Sequence, residues 1–471
     1  MPRSARSATR ATLLPPLCAA AVLAVAVLAV AVLAAPATAA LPTFAAPVYY
    51  ATGHWPTALL AADVNGDGIP DVVTADSRGD EVGILPSDGT GGFAAVQLRE
   101  TGDGPEDVAA GDLNGDGLLD LVTANADAGT VSVLLGEGAG SFAAKADFAT
   151  GEQPVAVVAA DFNGDGKADV ATADHGGQGV SVLLSDGAGA LLPGTGLDVG
   201  AACDGVATGD FDGDSHADLA VSFYEAMEDS GVGVFLGDGA GGFSAMKSYL
   251  TALEPRAVAV GDMDGDGAQD IVTLDSLEGA GEISIFLGTG KGGFARSASV
   301  RIGKEGSGLD LADLDRDERL DVITAKAATI AVFRGNGKGG LLKEVSYAAG
   351  ARPAAVAAAD VSADGDLDLL TANPGSDTVG VRLAGPLATP VIRKILPAAG
   401  AAGTVVRITG LHFGARRGSS VVLLAGEPAT QVVSWSDKVV AVRIPAGEQG
   451  DVLVAVRTRV GTSAARHFDR R

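Results

Sequence analysis

Cysteine is almost missing from this chain: of 471 residues only Cys18 and Cys203 carry a thiol, and Cys18 sits in an apolar leader. The rest of the chain therefore cannot close an internal disulfide, and in an oxidising compartment a metal is the expected staple. Aromatic residues make up only 4%, which speaks against a surface built from stacking platforms for sugars. The five histidines (His54, His175, His216, His412 and His467) form no His-Glu-x-x-His zinc motif, and no Gly-x-Ser-x-Gly elbow occurs. No enzymatic activity is expected. The alternative is a secreted polysaccharide-acting hydrolase or lyase using the fold as a scaffold, because a glycosidase carboxylate pair could hide among the many acids.

Positive charge is also scarce. The formal net charge is −26, and −29 without the three leader arginines. From Thr389 onward 12 basic residues face 5 acidic ones, a net of +7, which leaves the middle of the chain with 18 basic and 54 acidic residues, a net of −36. Such a region repels phosphates, so no nucleic-acid partner is expected for it. A hydrophobic content of 47% with recurring Val/Leu runs argues for a folded core over a disordered acidic tail.

The first residues carry Arg3, Arg6 and Arg10, an apolar run from Leu17 to Ala35, and then Ala37-Thr38-Ala39. A basic start, an apolar stretch and an A-x-A site predict a secretory signal peptide over residues 1–39. The rival reading is a retained membrane anchor, since about 18 to 20 apolar residues can span a bilayer. Cleavage predicts a secreted or cell-surface protein with no membrane span, expected to be a monomer.

The stretch Asp161-Phe162-Asn163-Gly164-Asp165-Gly166-Lys167-Ala168-Asp169 holds oxygen side chains at positions 1, 3, 5 and 9, with glycines at 4 and 6 that tolerate φ > 0. Alternate inward oxygens around a tight reversal suit Ca²⁺, which takes six to eight oxygen ligands. The glutamate that closes an EF-hand at position 12 is replaced by Thr172, so Asp169 is expected to close the site. Apolar runs flank the loop, Val155 to Ala160 before it and Val170 to Ala173 after it, which predicts a β-hairpin with the metal at its tip.

The loop occurs seven times, starting at Asp63, Asp112, Asp161, Asp210, Asp262, Asp313 and Asp360, at spacings of 49, 49, 49, 52, 51 and 47 residues. The expected metal ligands are Asp63, Asn65, Asp67 and Asp71; Asp112, Asn114, Asp116 and Asp120; Asp161, Asn163, Asp165 and Asp169; Asp210, Asp212, Asp214 and Asp218; Asp262, Asp264, Asp266 and Asp270; Asp313, Asp315, Asp317 and Asp321; and Asp360, Ser362, Asp364 and Asp368. Up to seven Ca²⁺ ions are expected. Repeat six should bind most weakly, because Arg316 and Glu318 stand where glycine is wanted. Empty loops whose carboxylates merely cap backbone N–H groups are the competing reading.

A period near 50 residues with about four short strands per repeat marks a propeller blade. In repeat three the strands are expected at Val155 to Ala160, Val170 to Ala173 and Val180 to Leu184, with a weak outer strand between Leu191 and Val199. The loop, the Gly-Asp-Gly-x-Gly-x-Phe turn and the Thr-Gly-x-x-Pro before the first strand (Thr150 to Pro154 in repeat three) resemble the FG-GAP/VCBS repeat of integrin-α-type propellers and many secreted bacterial proteins. The resemblance implies an all-β, seven-bladed β-propeller over residues 41–385. Repeat seven lacks its outer strand, and one unassigned copy remains at Phe44 to Gly53. That segment is expected to close the ring by pairing with the third strand of repeat seven, because an open sheet edge is a liability.

Beyond Pro390 the pattern changes to short alternating strands: Val391 to Pro397, Gly403 to Gly414, Val421 to Leu424, Val439 to Ile444 and Val452 to Val456. The Pro-x-x-Gly-x-x-Gly-Thr-like opening and the Ile-Thr-Gly-x-x-Phe core resemble an IPT/TIG domain, which implies a small immunoglobulin-like β-sandwich over residues 389–470, read as a spacer or docking module.

In a four-stranded blade the metal loops and Gly-rich turns share one face, and the other face carries the remaining connections. In the resembled integrin propellers that second face meets protein ligands. An extracellular protein or glycan ligand is therefore expected there, with His54, Trp55, His175 and Tyr224 as candidate contacts beside the insert Tyr224 to Ser230. The expected role is recognition or cell adhesion, with calcium mainly structural.

Overall fold

The computed structural model describes residues 41–224, 230–277, 279–304, 306–385, 391–411, 413, 421–436, 438–445, 450–458 and 461–470. The leader, residues 225–229 of the insert and His412 lie outside them.

Described residues before the C-terminal module form seven four-stranded antiparallel sheets. The first strand of each sheet touches the first strands of the two neighbouring sheets in an unbroken cycle. It runs Pro56–Ala62, Pro105–Gly111, Pro154–Ala160, Ala202–Gly209, Glu254–Gly261, Ser307–Ala312, Ala355–Ala359 and back to Pro56–Ala62. Such a cycle is a propeller.

The second strands Asp71–Asp76, Asp120–Asn125, Asp169–Asp174 and Asp368–Asn373 are buried along their whole length, and the other three are buried except at their last residue. Both faces of every sheet are covered by neighbouring sheets, so these strands use small and branched side chains throughout, where a one-sided sheet would alternate. Between the second and third sheets, for example, Val122, Ala124, Val131 and Val133 pack with Val157, Val170 and Leu183.

The sheet of repeat seven takes its fourth strand from the beginning of the chain. Val48–Ala51 pairs antiparallel with Thr378–Arg382, placing Tyr49 opposite Gly380 and Ala51 opposite Thr378. Phe44 bridges to Ala384 and packs edge-on against Tyr347 at 4.8 Å. Tyr50 packs edge-on against Phe93 of the next sheet at 5.1 Å.

Outer strands are shorter than the sequence suggests. In repeat three the outer strand is only Thr195–Asp198, and in repeat two Ser141–Phe142 is separated from Ala146–Ala149. The leading aromatic or leucine folds back over the Gly-rich turn, as in the bridges Ser87 to Phe93 and Gly237 to Phe243. That bridge takes the residue out of the ladder. Among the described residues only the outer strand Phe294–Arg301 starts at its aromatic residue and runs unbroken.

The C-terminal module is a two-sheet sandwich. One sheet orders Val391–Leu396, Val405–Leu411, Val439–Arg443 and Val432–Trp435, and the other centres on Gly450–Thr458 between Arg466–Arg470 and Val421–Leu424. Val406, Ile408, Phe413, Val422, Val440, Val454 and Phe468 fill the space between them. The strands Val432–Trp435 and Arg466–Arg470 are additions to the sequence reading.

Candidate functional site

Each nine-residue loop joins the first and second strands of a sheet. Position 2 is a buried apolar anchor (Val64, Leu113, Phe162, Phe211, Met263, Leu314 or Val361), which pins the loop to the core while the polar residues at positions 1, 3 and 5 of the first five loops stay nearer the surface. Position 1 acts as a hub. In repeat three Asp161 accepts the N–H groups of Gly164 and Gly166 at 2.7 and 2.8 Å, Asn163 accepts that of Asp165 at 2.9 Å, and Asp165 accepts that of Lys167 at 2.9 Å.

Position 9 is buried, and its two oxygens tie two segments together. Asp169 accepts the N–H of Phe162 at 3.0 Å and that of Ser185 in the Gly-rich turn at 2.7 Å. The same pair of bonds recurs at Asp120, Asp218, Asp270 and Asp321. These carboxylates are thus structural clamps, and each oxygen keeps lone-pair capacity for a further partner.

The donor set fits a hard cation. The carboxylates of Asp210, Asp212 and Asp218 converge so that one oxygen from each lies within 4.8 Å of the others, and so do those of Asp262, Asp264 and Asp270 and of Asp313, Asp315 and Asp321. These triads could hold metal ions. Oδ2 of Asp71 and Oδ1 of Asp315 are buried without a hydrogen-bond donor, a costly state that a cation would relieve. Burial, with a smaller push from neighbouring loop carboxylates, raises Asp218 and Asp270 to about 6 and Asp321 and Asp368 to about 7.

Loops four, six and seven lack glycines that the other loops keep. Arg316 and Glu318 adopt φ of 58° and 68°, and Ser215 and Ala363, also at glycine places, adopt 70° and 50°. Arg334 reaches within 3.3 Å of the buried Asp315 carboxylate, and Arg316 pairs with Asp366 at 2.7 Å. A guanidinium therefore already stands beside one of the expected ligands of loop six.

At the opposite ends of the strands the repeats diverge. His175 and Tyr224 are brought together, their rings 5.9 Å apart. His175 Nδ1 lies 2.7 Å from the largely buried Asp204, whose other oxygen accepts from Arg256 at 2.8 Å. Arg256 also stacks on the Tyr224 ring at 4.6 Å and pairs with Glu254.

His54 and Trp55 form a separate group. Asp377 accepts the Trp55 N–H at 2.9 Å and sits 3.1 Å from His54 Nδ1, and these contacts, with Arg78 nearby, hold its pKa down. Arg78 and Arg352 stand over the Trp55 ring at 3.6 and 5.2 Å. Among the described residues no hydrogen bond, ion pair or ring contact joins the two groups.

The partners Asp204, Arg256, Arg78, Arg352 and Asp377 were not singled out from the sequence. A signal did exist for two of them. In repeats one to six the residue after the proline place bulges out of the first strand, and there repeats four and five carry Asp204 and Arg256 where repeats one and three carry Thr57 and Val155.

A family profile described as an FG-GAP-like repeat matches residues 63–123, 112–172, 161–221, 262–324 and 313–371, and one described as an IPT/TIG domain matches residues 390–468. No curated protein matches the chain. Among solved structures, BBS1N in complex with ARL6DN, soaked with lead, is 12% identical with a TM-score of 0.52, covering 74% of this chain and 98% of that one. Its mercury-soaked counterpart is 13% identical with a TM-score of 0.53, covering 73% and 97%. A fungal alcohol oxidase of the AA5 family in complex with copper is 13% identical with a TM-score of 0.49, covering 92% and 100%. At such identities the BBS1N likeness is one of fold.

Proposed function

Because the chain belongs to the FG-GAP-like repeat family and carries an IPT/TIG domain behind its repeats, we propose that it is a secreted or cell-surface recognition and adhesion protein. Calcium stabilises the loop face, and an extracellular protein or glycan binds the opposite face. One observation carries this reading. The loop face repeats the same self-satisfying hydrogen bonds, whereas the opposite face presents unrepeated groups of ionic and aromatic side chains around His175 and Trp55. Repetition suits a structural role, and divergence suits recognition. Secretion rests on the leader sequence. Among the described residues no helix is long and apolar enough to cross a membrane.

A combined glycan and protein array, run with and without calcium, tests the reading. Binding should be weakened by Arg256→Ala or Trp55→Ala while the melting curve stays cooperative. A ligand whose binding ignores both substitutions and is lost only with loop-face substitutions in a folded protein would overturn the choice of face.

The His175 to Asp204 contact supports one second reading. A carboxylate on Nδ1 orients an imidazole for proton transfer, and Arg256 and Tyr224 stand beside it. A panel of polysaccharide hydrolase and lyase substrates, with turnover lost in His175→Ala, would establish the enzyme instead.

A further inference from the structure

We propose that the cavity beside Trp55 is a binding site for a uronic-acid-bearing saccharide, with Arg352 and Lys304 holding the sugar carboxylate. The inference rests on the reading that the face away from the calcium loops is the recognition face.

The cavity holds about 630 Å³ and is lined by the connections into and out of the sheets at that face, including Trp55, Thr57, Lys304, Ser307, Arg352 and Pro353. Its volume falls within the range of small-ligand sites. Trp55 and Arg352 occupy the same place in neighbouring repeats, just before the proline of the first strand, and both adopt left-handed backbone, with φ of 64° and 56°. Repeat two has Gly104 there, φ 66°. The shared turn brings an indole and a guanidinium to one rim.

Charge selects the ligand class. In a chain of net charge −26, Arg352 and Lys304 pair with no carboxylate among the described residues, and the recorded contact of the Arg352 guanidinium is the Trp55 ring at 5.2 Å. By contrast, His54 and Arg78 lie near Asp377. Two cations that meet no anion among the described residues at a concave site favour an anionic ligand, and a guanidinium fork suits a carboxylate.

The hydroxyls narrow the class further. Ser307 Oγ donates to Pro353 O at 2.6 Å, and Thr57 Oγ1 donates to Ala75 O at 3.2 Å or Pro105 O at 3.3 Å. With those hydrogens committed, each oxygen can offer the cavity only a lone pair. The ligand must therefore bring hydrogen-bond donors as well as a carboxylate. A uronic acid carries both on one ring, with an apolar ring face to lie against the half-buried indole edge. An acidic peptide brings carboxylates and backbone N–H donors but no pyranose ring face to lie against the indole.

Calorimetric titration of the full chain with digalacturonic acid, beside neutral digalactose and an Asp/Glu-rich peptide, tests the assignment. Digalacturonic acid should bind, added salt should weaken it, and Arg352→Gln or Lys304→Gln should each weaken it by about tenfold with an unshifted melting curve. Neutral digalactose should not bind. Equal binding of digalactose, uronate binding indifferent to both substitutions, or binding of the acidic peptide instead would overturn it. If the array finds a ligand that depends on Arg256 or His175 while digalacturonic acid fails, this inference falls and the recognition reading stands. If no ligand appears at all, both fall.

Discussion

Asp76 shows how a single buried acid records the conflict between repeat geometry and solvation. It lies at the end of a fully buried second strand and accepts hydrogen bonds from the Gly53 N–H at 3.0 Å and from Thr74 at 3.1 Å. Burial nonetheless raises its pKa to about 7, those hydrogen bonds opposing and the Glu81 charge adding. The unfolded carboxyl ionises near 4, so between about pH 4 and 7 the folded state holds a proton that the unfolded state has released. Stability therefore falls as pH rises through that window, and the loss is complete above 7. Repeats two and seven carry Asn125 and Asn373 at the same place, buried like Asp76. Asp76→Asn should raise the melting temperature at pH 7.5, by the equivalent of up to a few kcal/mol at about 1.4 kcal/mol per pKa unit, and change little at pH 4. Equal melting curves at both pH values would contradict the proton-holding role. Residue-scale features like this were not legible in the sequence, because burial and the Gly53 N–H contact arise only when segments 23 residues apart meet. The same holds for His54 with Asp377, separated by 323 residues. Cys203, by contrast, could be read directly as an unpaired thiol. The fold buries it completely and pushes its pKa up to about 12, so it is an inert thiol.

At the scale of the element, the seven loops and the inner three strands of each sheet were readable because period, turn chemistry and apolar runs agree. In repeat three the runs Val155 to Ala160, Val170 to Ala173 and Val180 to Leu184 correspond to Pro154–Ala160, Asp169–Asp174 and Gly179–Leu183. Outer strands were harder to read, since a half-exposed edge needs no apolar pattern and the leading aromatic packs over a turn instead of extending the ladder. The outer strand with most at stake is Val48–Ala51. Besides its ladder with Thr378–Arg382, the N-terminal segment receives a bond from Arg382 Nη1 to Ala45 O at 2.5 Å and places the Tyr50 hydroxyl 3.2 Å from Gly91 O. It therefore links the last sheet to the first. Deleting residues 41–52 would bare the edge of Thr378–Arg382 and unpack Tyr50 from Phe93. Thermal unfolding should broaden and shift down by several degrees, since about 1 kcal/mol moves a domain of this size by 2 to 4 °C or less. A melting curve identical to that of the intact chain would show that the segment does not clasp the propeller.

Across the whole molecule, the fold gathers like charges, and a counter-ion decides how costly that is. A net charge of −26 repels itself in the compact state; at position 9 burial raises the carboxylate pKa values most and neighbouring loop carboxylates add to it, Asp321 and Asp368 reaching about 7. Calcium that binds only the folded chain stabilises it by mass action, about 2.7 kcal/mol per site when free calcium is a hundredfold above the dissociation constant. Extracellular modules typically bind at about 10⁻⁴ to 10⁻³ M, so millimolar calcium should raise the melting temperature and EDTA should lower it. Screening alone would act through ionic strength. The same rise produced by sodium chloride at matched ionic strength, or an EDTA shift below measurement error, would refute specific calcium stabilisation. The loops should not fill equally. Arg334 already faces Asp315, and Arg316 and Glu318 hold left-handed backbone without glycine, so loop six should fill last and a calcium titration should saturate its strong sites below seven. Replacing Arg334 by glutamine would remove the resident guanidinium, and loop six should then gain affinity. An unchanged titration in that variant would show that the guanidinium does not compete with the metal.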